Sequence, residues 1–187
     1  MALDAAETLI TQEGLAGFSM RKVAQAIGYT VGNLYLLFAN QDDLLALVSE
    51  RTADAMYARL RSAVARADTP LERVQAIAAA YISFAQKNLP RWRLLFEHQL
   101  PPELYPHPGL EERQRALFAF VESHLAPLLP QLKPAELHAA ATTLWSSVHG
   151  LCVLAVTGKL RWSGIKDYRP LADMMVGAFV AGLGKHA

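Results

Sequence analysis

The sequence has a single cysteine, Cys152. A lone thiol excludes an internal disulfide and any cysteine cluster for zinc, which agrees with a reducing compartment, and its first reading is a small buried apolar residue. No uninterrupted apolar run reaches the ~18 residues of a spanning helix. The opening MALDAAETLI carries Asp4 and Glu7 where a secretory signal would carry Lys or Arg. A cytoplasmic protein without a membrane partner is expected. Sustained period-two alternation is also missing, so no strand is expected and the fold class is all-α.

Catalytic constellations are missing as well. Ser146, Ser147 and His149 lie on one predicted helix but point different ways around its axis, and no oxyanion turn or nucleophile elbow precedes them. Gly158-Lys159 fails as a phosphate loop, because Val153 stands where the first glycine is needed and Leu160 where Ser or Thr would bind magnesium. The six histidines form no His-x-x-x-His pair and have no acid at ligand spacing. Neither enzymatic activity nor a cofactor or metal is expected.

What is present is apolar and helical. A composition of 52% hydrophobic residues over 187 positions fills one substantial core or two smaller ones. A first helix is expected from about Leu3 to Glu13, with Leu3, Ala6 and Ile10 on one face and Gly14 as its end. A short second helix follows Ser19 and stops at Gly28, with Phe18 and Val23 spaced as a hydrophobic staple. A third starts after Thr30. The fourth begins after Asn40, with Asp43 completing a cap-like pattern, and is long enough to join two domains. Thr69-Pro70-Leu71-Glu72 combines a capping box with proline at the first helical position. Further helices are expected around 92–98, 109–129, 134–160 and 170–184, with a loop containing Pro101, Pro102, Pro106 and Pro108 between the first two.

The net charge of +1 conceals an asymmetry. Residues 1–50 hold only Arg21 and Lys22 against Asp4, Glu7, Glu13, Asp42, Asp43 and Glu50, yet no acid lies between Ser19 and Gln41. Within that stretch, SMRKVAQAIGYTVGNLYLLF over residues 19–38 reads as a helix-turn-helix. Ala24, Ile27, Leu34, Leu37 and Phe38 supply inward faces. Tyr29, Thr30, Asn33 and Tyr35 are left on or beside a helix too short to be justified as packing. Arg21 and Lys22 place positive charge on the positive end of a helix dipole, an arrangement that suits a phosphate, and Gly32 permits close approach to a groove.

The segment from Leu3 to about Leu47 resembles the N-terminal domain of the TetR family of bacterial regulators. Gly14, Ser19, Ala24, Gly28, Gly32, Leu34, Tyr35, Phe38, Asp43 and Leu44 stand in the family's order and spacing. The resemblance implies residues 1–46 as a three-helix DNA-binding domain, joined by a long fourth helix to a ligand-binding and dimerisation domain over 47–187. It implies a homodimer on palindromic double-stranded operator DNA, acting as a repressor that a small-molecule inducer releases. The third helix would enter the major groove, with Tyr35 and Thr30 on phosphate and Asn33 as a base reader. Ser19, Arg21, Lys22, Tyr29, Gly32 and Gln41 complete the expected DNA-binding set. Family members usually have a phosphate-binding Lys where this chain has Gln41, and many have a basic extension ahead of the first helix. The acidic balance of residues 1–50 keeps an alternative open, a helical small-molecule-binding module without DNA binding.

Trp145-Ser146-Ser147-Val148-His149-Gly150 is similar to a Trp-x-x-x-His-Gly element in the ligand domain of one subgroup, and Trp92-Arg93-Leu94-Leu95-Phe96 also resembles that subgroup. By the resemblance, an apolar cavity would draw on Tyr81, Phe84, Phe96, Phe118, Trp145, His149 and Cys152. Trp145 and His149, four apart on one helical face, would bring ring nitrogens into an apolar interior. Leu137, Ala141, Leu144, Val148, Leu151 and Ala155 form a seam expected at the dimer interface, beside Gly177, Ala178, Ala181 and Gly182.

Overall fold

The computed structural model describes residues 1–102 and 107–184, and every long regular element among them is helical. In chain order these are α1 (Ala2–Gly17), α2 (Met20–Ile27), α3 (Val31–Tyr35), α4 (Gln41–Val64), α5 (Pro70–Lys87), α6 (Leu89–Glu97), α7 (Pro108–Leu125), α8 (Pro134–Val156) and α9 (Arg169–Gly184). Short 3-10 turns follow α7 at Ala126–Leu128 and α8 at Lys159–Ser163. Pro106, assigned above to a proline-rich loop, lies outside the described residues.

Two compact units divide the chain. One comprises residues 1–55 and 88–113, the other 56–87 and 114–187. Residues 88–113, expected from the sequence to lie beyond a boundary at 46, pack with the first unit because α6 lies along α1.

In the first unit the core joins Ala6 and Ile10 of α1, Phe18, Met20, Val23 and Ala24 around α2, Leu34 of α3, Leu44, Leu45 and Val48 of α4, and Leu94 of α6. Gly14 adopts φ 68°, but it does not end α1. Helix resumes for one more turn to Gly17, three residues past the expected stop. Ionic contacts tie the same elements together around Glu7, which accepts from Arg51 at 3.2 Å and from Arg91 at 2.7 Å. Arg113 reaches both oxygens of Asp54 at 2.9 Å and also contacts Glu50.

In the second unit α5 packs against α8 and α9. The start of α5 follows from the Thr69–Glu72 box: the Thr69 hydroxyl accepts from the Glu72 amide at 3.2 Å, and the Glu72 carboxylate accepts from the Thr69 amide at 2.9 Å. Val74, Ile77, Tyr81 and Phe84 are its buried face. On α8 the buried positions are Ala140, Ala141, Leu144, Val148 and Cys152. Three members of the expected dimer seam, Ala141, Leu144 and Val148, are thus interior to the chain. The helix stops at Val156, earlier than expected, and Gly158 then adopts a left-handed φ of 72°.

Taken over its whole circumference, α8 is strongly apolar. An 18-residue window within it has mean hydropathy 1.5 with only 28% of the window buried, long and apolar enough by composition to cross a membrane. Gly150, Val153 and Leu154 are exposed on its C-terminal half, after the exposed Ser146 and Ser147, and Met174, Ala178, Ala181 and Gly182 are exposed along α9.

Candidate DNA-binding head and ligand cavity

Local chemistry fixes the α2–α3 head. Ser19 takes an extended conformation and its hydroxyl accepts from the Lys22 amide at 3.3 Å, which starts α2. At the other end Gly28 sits at φ 74°, ψ 26°, a left-handed cap that a side chain would strain. Thr30 then caps α3. Its hydroxyl accepts from the Asn33 amide, while Asn33 Oδ1 accepts from the Thr30 hydroxyl at 2.6 Å and the Thr30 amide at 3.2 Å. Asn33 is therefore half committed to its own helix, with its side-chain amino group left to face outward as a donor.

Of the expected DNA-binding residues, Arg21, Lys22, Tyr29, Thr30, Gly32, Asn33, Tyr35 and Gln41 are all exposed. Ser19 is half-buried as the cap. Lys22 differs from the expectation of a cation awaiting an anion: its ammonium donates to Glu13 at 2.5 Å and to the Gly17 carbonyl at 2.8 Å, bridging α1 and α2. Arg21 has no ion pair among the described residues. Leu37, expected to face inward, is 72% exposed, and Leu36 is 83% exposed, against 1% for Leu34. The hydrophobic pattern did not reveal this outward apolar pair, although Leu36 follows Gly32 and Asn33 at helical spacing.

A second feature lies in the other unit. An apolar cavity of about 40 Å³, measured as room for the centre of a water-sized sphere, opens among α4, α5, α7 and α8. That is space for about three waters. Leu60, Val74, Leu117 and Leu144 supply aliphatic wall, and Tyr81, Phe118 and Trp145 contribute aromatic rings. Three of the expected ligand residues therefore meet at one site. His149 stands just behind it, with its Nδ1 2.7 Å from the Tyr81 hydroxyl and its ring 5.6 Å from that of Trp145. Burial pushes the His149 imidazole below its ordinary pKa, so the ring is neutral at physiological pH.

Phe84 and Cys152 are buried in the same unit but do not line the cavity. Burial raises the Cys152 thiol to about 12, which makes it an inert core residue at neutral pH. Phe96 lies in the first unit on α6, its ring 5.1 Å from Trp92, and is not brought to the cavity.

Comparison with known proteins places these features in a family. Residues 2–48 match a family model described as bacterial regulatory proteins, tetR family, and residues 74–179 match one described as tetracyclin repressor-like, C-terminal domain. The nucleoid occlusion factor SlmA of Vibrio vulnificus is 24% identical over 131 residues, 70% of this chain, and the match spans 65% of that relative's length. Among solved structures, the regulator FadR from Bacillus subtilis in complex with stearoyl-CoA shares 19% identity at a TM-score of 0.66, covering 97% of each chain. AibR in complex with isovaleryl coenzyme A and operator DNA shares 22% at 0.62, covering 94% of each. At these identities the structural likeness concerns the fold alone. The second family match covers more than half of the sequence, and the chain belongs to the TetR family of transcription regulators.

Proposed function

We propose that this regulator is a repressor that binds a palindromic operator as a homodimer and leaves it when a small hydrophobic ligand enters the α4–α5–α7–α8 cavity. The observation that carries the reading is the α2–α3 surface, where Arg21, Tyr29, Thr30, Asn33 and Tyr35 are exposed together on a segment without a single acid. Arg21 and the α2 N-terminus would hold phosphate, as would Thr30 and Tyr35, while the free amino group of Asn33 would read acceptors on base edges. Gln41, exposed at the start of α4, offers an amide where a lysine would add charge, so affinity would rest on fewer phosphate contacts. In a dimer the two recognition helices would lie about one helical turn, ~34 Å, or a multiple apart.

The ligand side rests on the cavity. Its walls are apolar, with the Tyr81–His149 pair as the nearby polar element, which suits a hydrophobic or aromatic molecule carrying one or two polar atoms. At about 40 Å³ the cavity has to widen to admit such a ligand, and widening it moves helices. A ligand that prefers the widened conformer would release DNA through that difference in affinity. The two structural neighbours named above are held with acyl-CoA thioesters, so isovaleryl-CoA and stearoyl-CoA are the first ligands to test.

One observation favours the alternative of a binding module without DNA contact: Lys22 is already neutralised by Glu13. A gel shift with the intergenic DNA beside the protein's own gene separates the two. The regulator retards that fragment at low salt and releases it on addition of inducer, whereas a carrier retards nothing at any salt concentration.

A further inference from the structure

Resting on the DNA-binding reading, we infer that Leu36 reads thymine methyl groups, so that sequence preference comes in part from an apolar contact. The polar capacity of α3 for base edges is small. Asn33 Oδ1 is occupied by two donors from Thr30, which leaves that side chain one amino group and removes the two-way pairing an asparagine makes with adenine. No Arg, Lys, Gln, Asp or Glu lies between Gly28 and Asn40. Besides the hydroxyls of Tyr29, Thr30 and Tyr35, the direct readout available to this surface is contact with the C5-methyl of thymine.

Leu36 is placed for that contact. At 100° per residue it falls between Gly32 and Asn33 on the outward face, almost opposite Leu34, and its backbone keeps helical values of φ −77°, ψ −21°. It is 83% exposed. A solitary exposed leucine needs no explanation, but this one adjoins Leu37 and Tyr35, which are also exposed. Gly32 beside it has neither a positive φ nor close packing, since a Cβ there would meet only the Thr30 hydroxyl at 3.7 Å. The missing side chain leaves the floor of a groove able to approach Leu36. The absence of acids from Ser19 to Gln41 selects a polyanionic duplex as the occupant over an apolar protein surface.

The test uses the whole 187-residue chain and a duplex recovered by selection from a random library. Each thymine of the recovered site is replaced in turn by deoxyuridine, which removes the methyl and keeps the base pair. Wild type should bind about four-fold more weakly for each contacted methyl removed, the worth of one buried methyl group. Leu36→Ala, a change at an exposed position, should keep the wild-type melting temperature and be indifferent to the same replacements. Deoxyuridine sensitivity that survives unchanged in Leu36→Ala, or a recovered site with no sensitive thymine, would overturn the assignment while leaving DNA binding intact. Failure of wild type to enrich any duplex would instead overturn the DNA-binding reading, and this inference with it.

Discussion

At the scale of single residues, the Tyr81–His149 pair shows what the sequence could and could not reveal. Trp145 and His149 were legible as a pair because four residues make one helical turn, and their rings do meet at 5.6 Å. The partner of the imidazole was not legible, since Tyr81 is 68 positions away on α5 and only packing brings its hydroxyl within 2.7 Å. Phe96 packs against Trp92 in the first unit for a related reason: an aromatic at helical spacing announces an interior without saying which one. The buried, neutral His149 makes a prediction about acid. Its folded pKa lies below the ordinary 6.5, so the unfolded chain takes up the proton first. The associated stability is complete above about pH 6.5 and is lost as the pH falls from there toward the folded value. His149→Gln should therefore show a smaller drop in melting temperature than wild type between pH 7.5 and 5.5. Tyr81→Phe should cost about 1 kcal/mol at pH 7.5 by removing one hydrogen bond. An equal acid sensitivity in His149→Gln and wild type would exclude the ring as its source.

Among elements, helix starts were the most readable feature. Ser19, Thr30, Asn40 and Thr69 each accept from the amide three residues on, and each carries its signal in a few adjacent positions. Helix ends were less readable. Gly14 takes the positive φ expected of a stop, yet α1 resumes after it. The five-residue α3 gives way to a turn after Tyr35, so Leu37 does not follow the face set by Leu34. Gly28 is the end on which the head depends, because it sets the angle at which α3 leaves α2. Gly28→Ala puts a Cβ at φ 74° and should cost about 1–2 kcal/mol, seen as a lower denaturation midpoint, with operator affinity falling further than stability accounts for. A variant with unchanged midpoint and affinity would mean that the turn tolerates another conformation.

For the whole molecule, the pattern of α8 was legible as a packing seam but not as to its partner. Ala141, Leu144 and Val148 recur as any helix-pairing stripe does, and they are buried within the chain, where α8 packs against α5. What remains uncovered is the other side, with Gly150, Val153 and Leu154 on α8 and Met174, Ala178 and Ala181 on α9. An apolar helix with so little of its surface buried suits a second copy of the chain, whose small residues let backbones approach closely. Light scattering should accordingly give twice the 20.5 kDa chain mass. A charge in that face, Ala178→Arg, should give a folded monomer with operator affinity at least ten-fold weaker. A folded Ala178→Arg protein that stays dimeric would move the interface elsewhere.

Phosphate contact by the α2–α3 head is open to a direct check in the salt dependence of operator binding. A plot of log affinity against log salt for wild type should be steep and negative. Arg21→Ala should weaken binding to operator and random duplex alike, and should make the slope shallower by about one for each phosphate that Arg21 neutralises. Arg21 is exposed and unpaired within the described residues, so its removal leaves the fold intact. A slope that Arg21→Ala leaves unchanged, or wild-type protein that binds no duplex even at low salt, would rule out phosphate contact by this head.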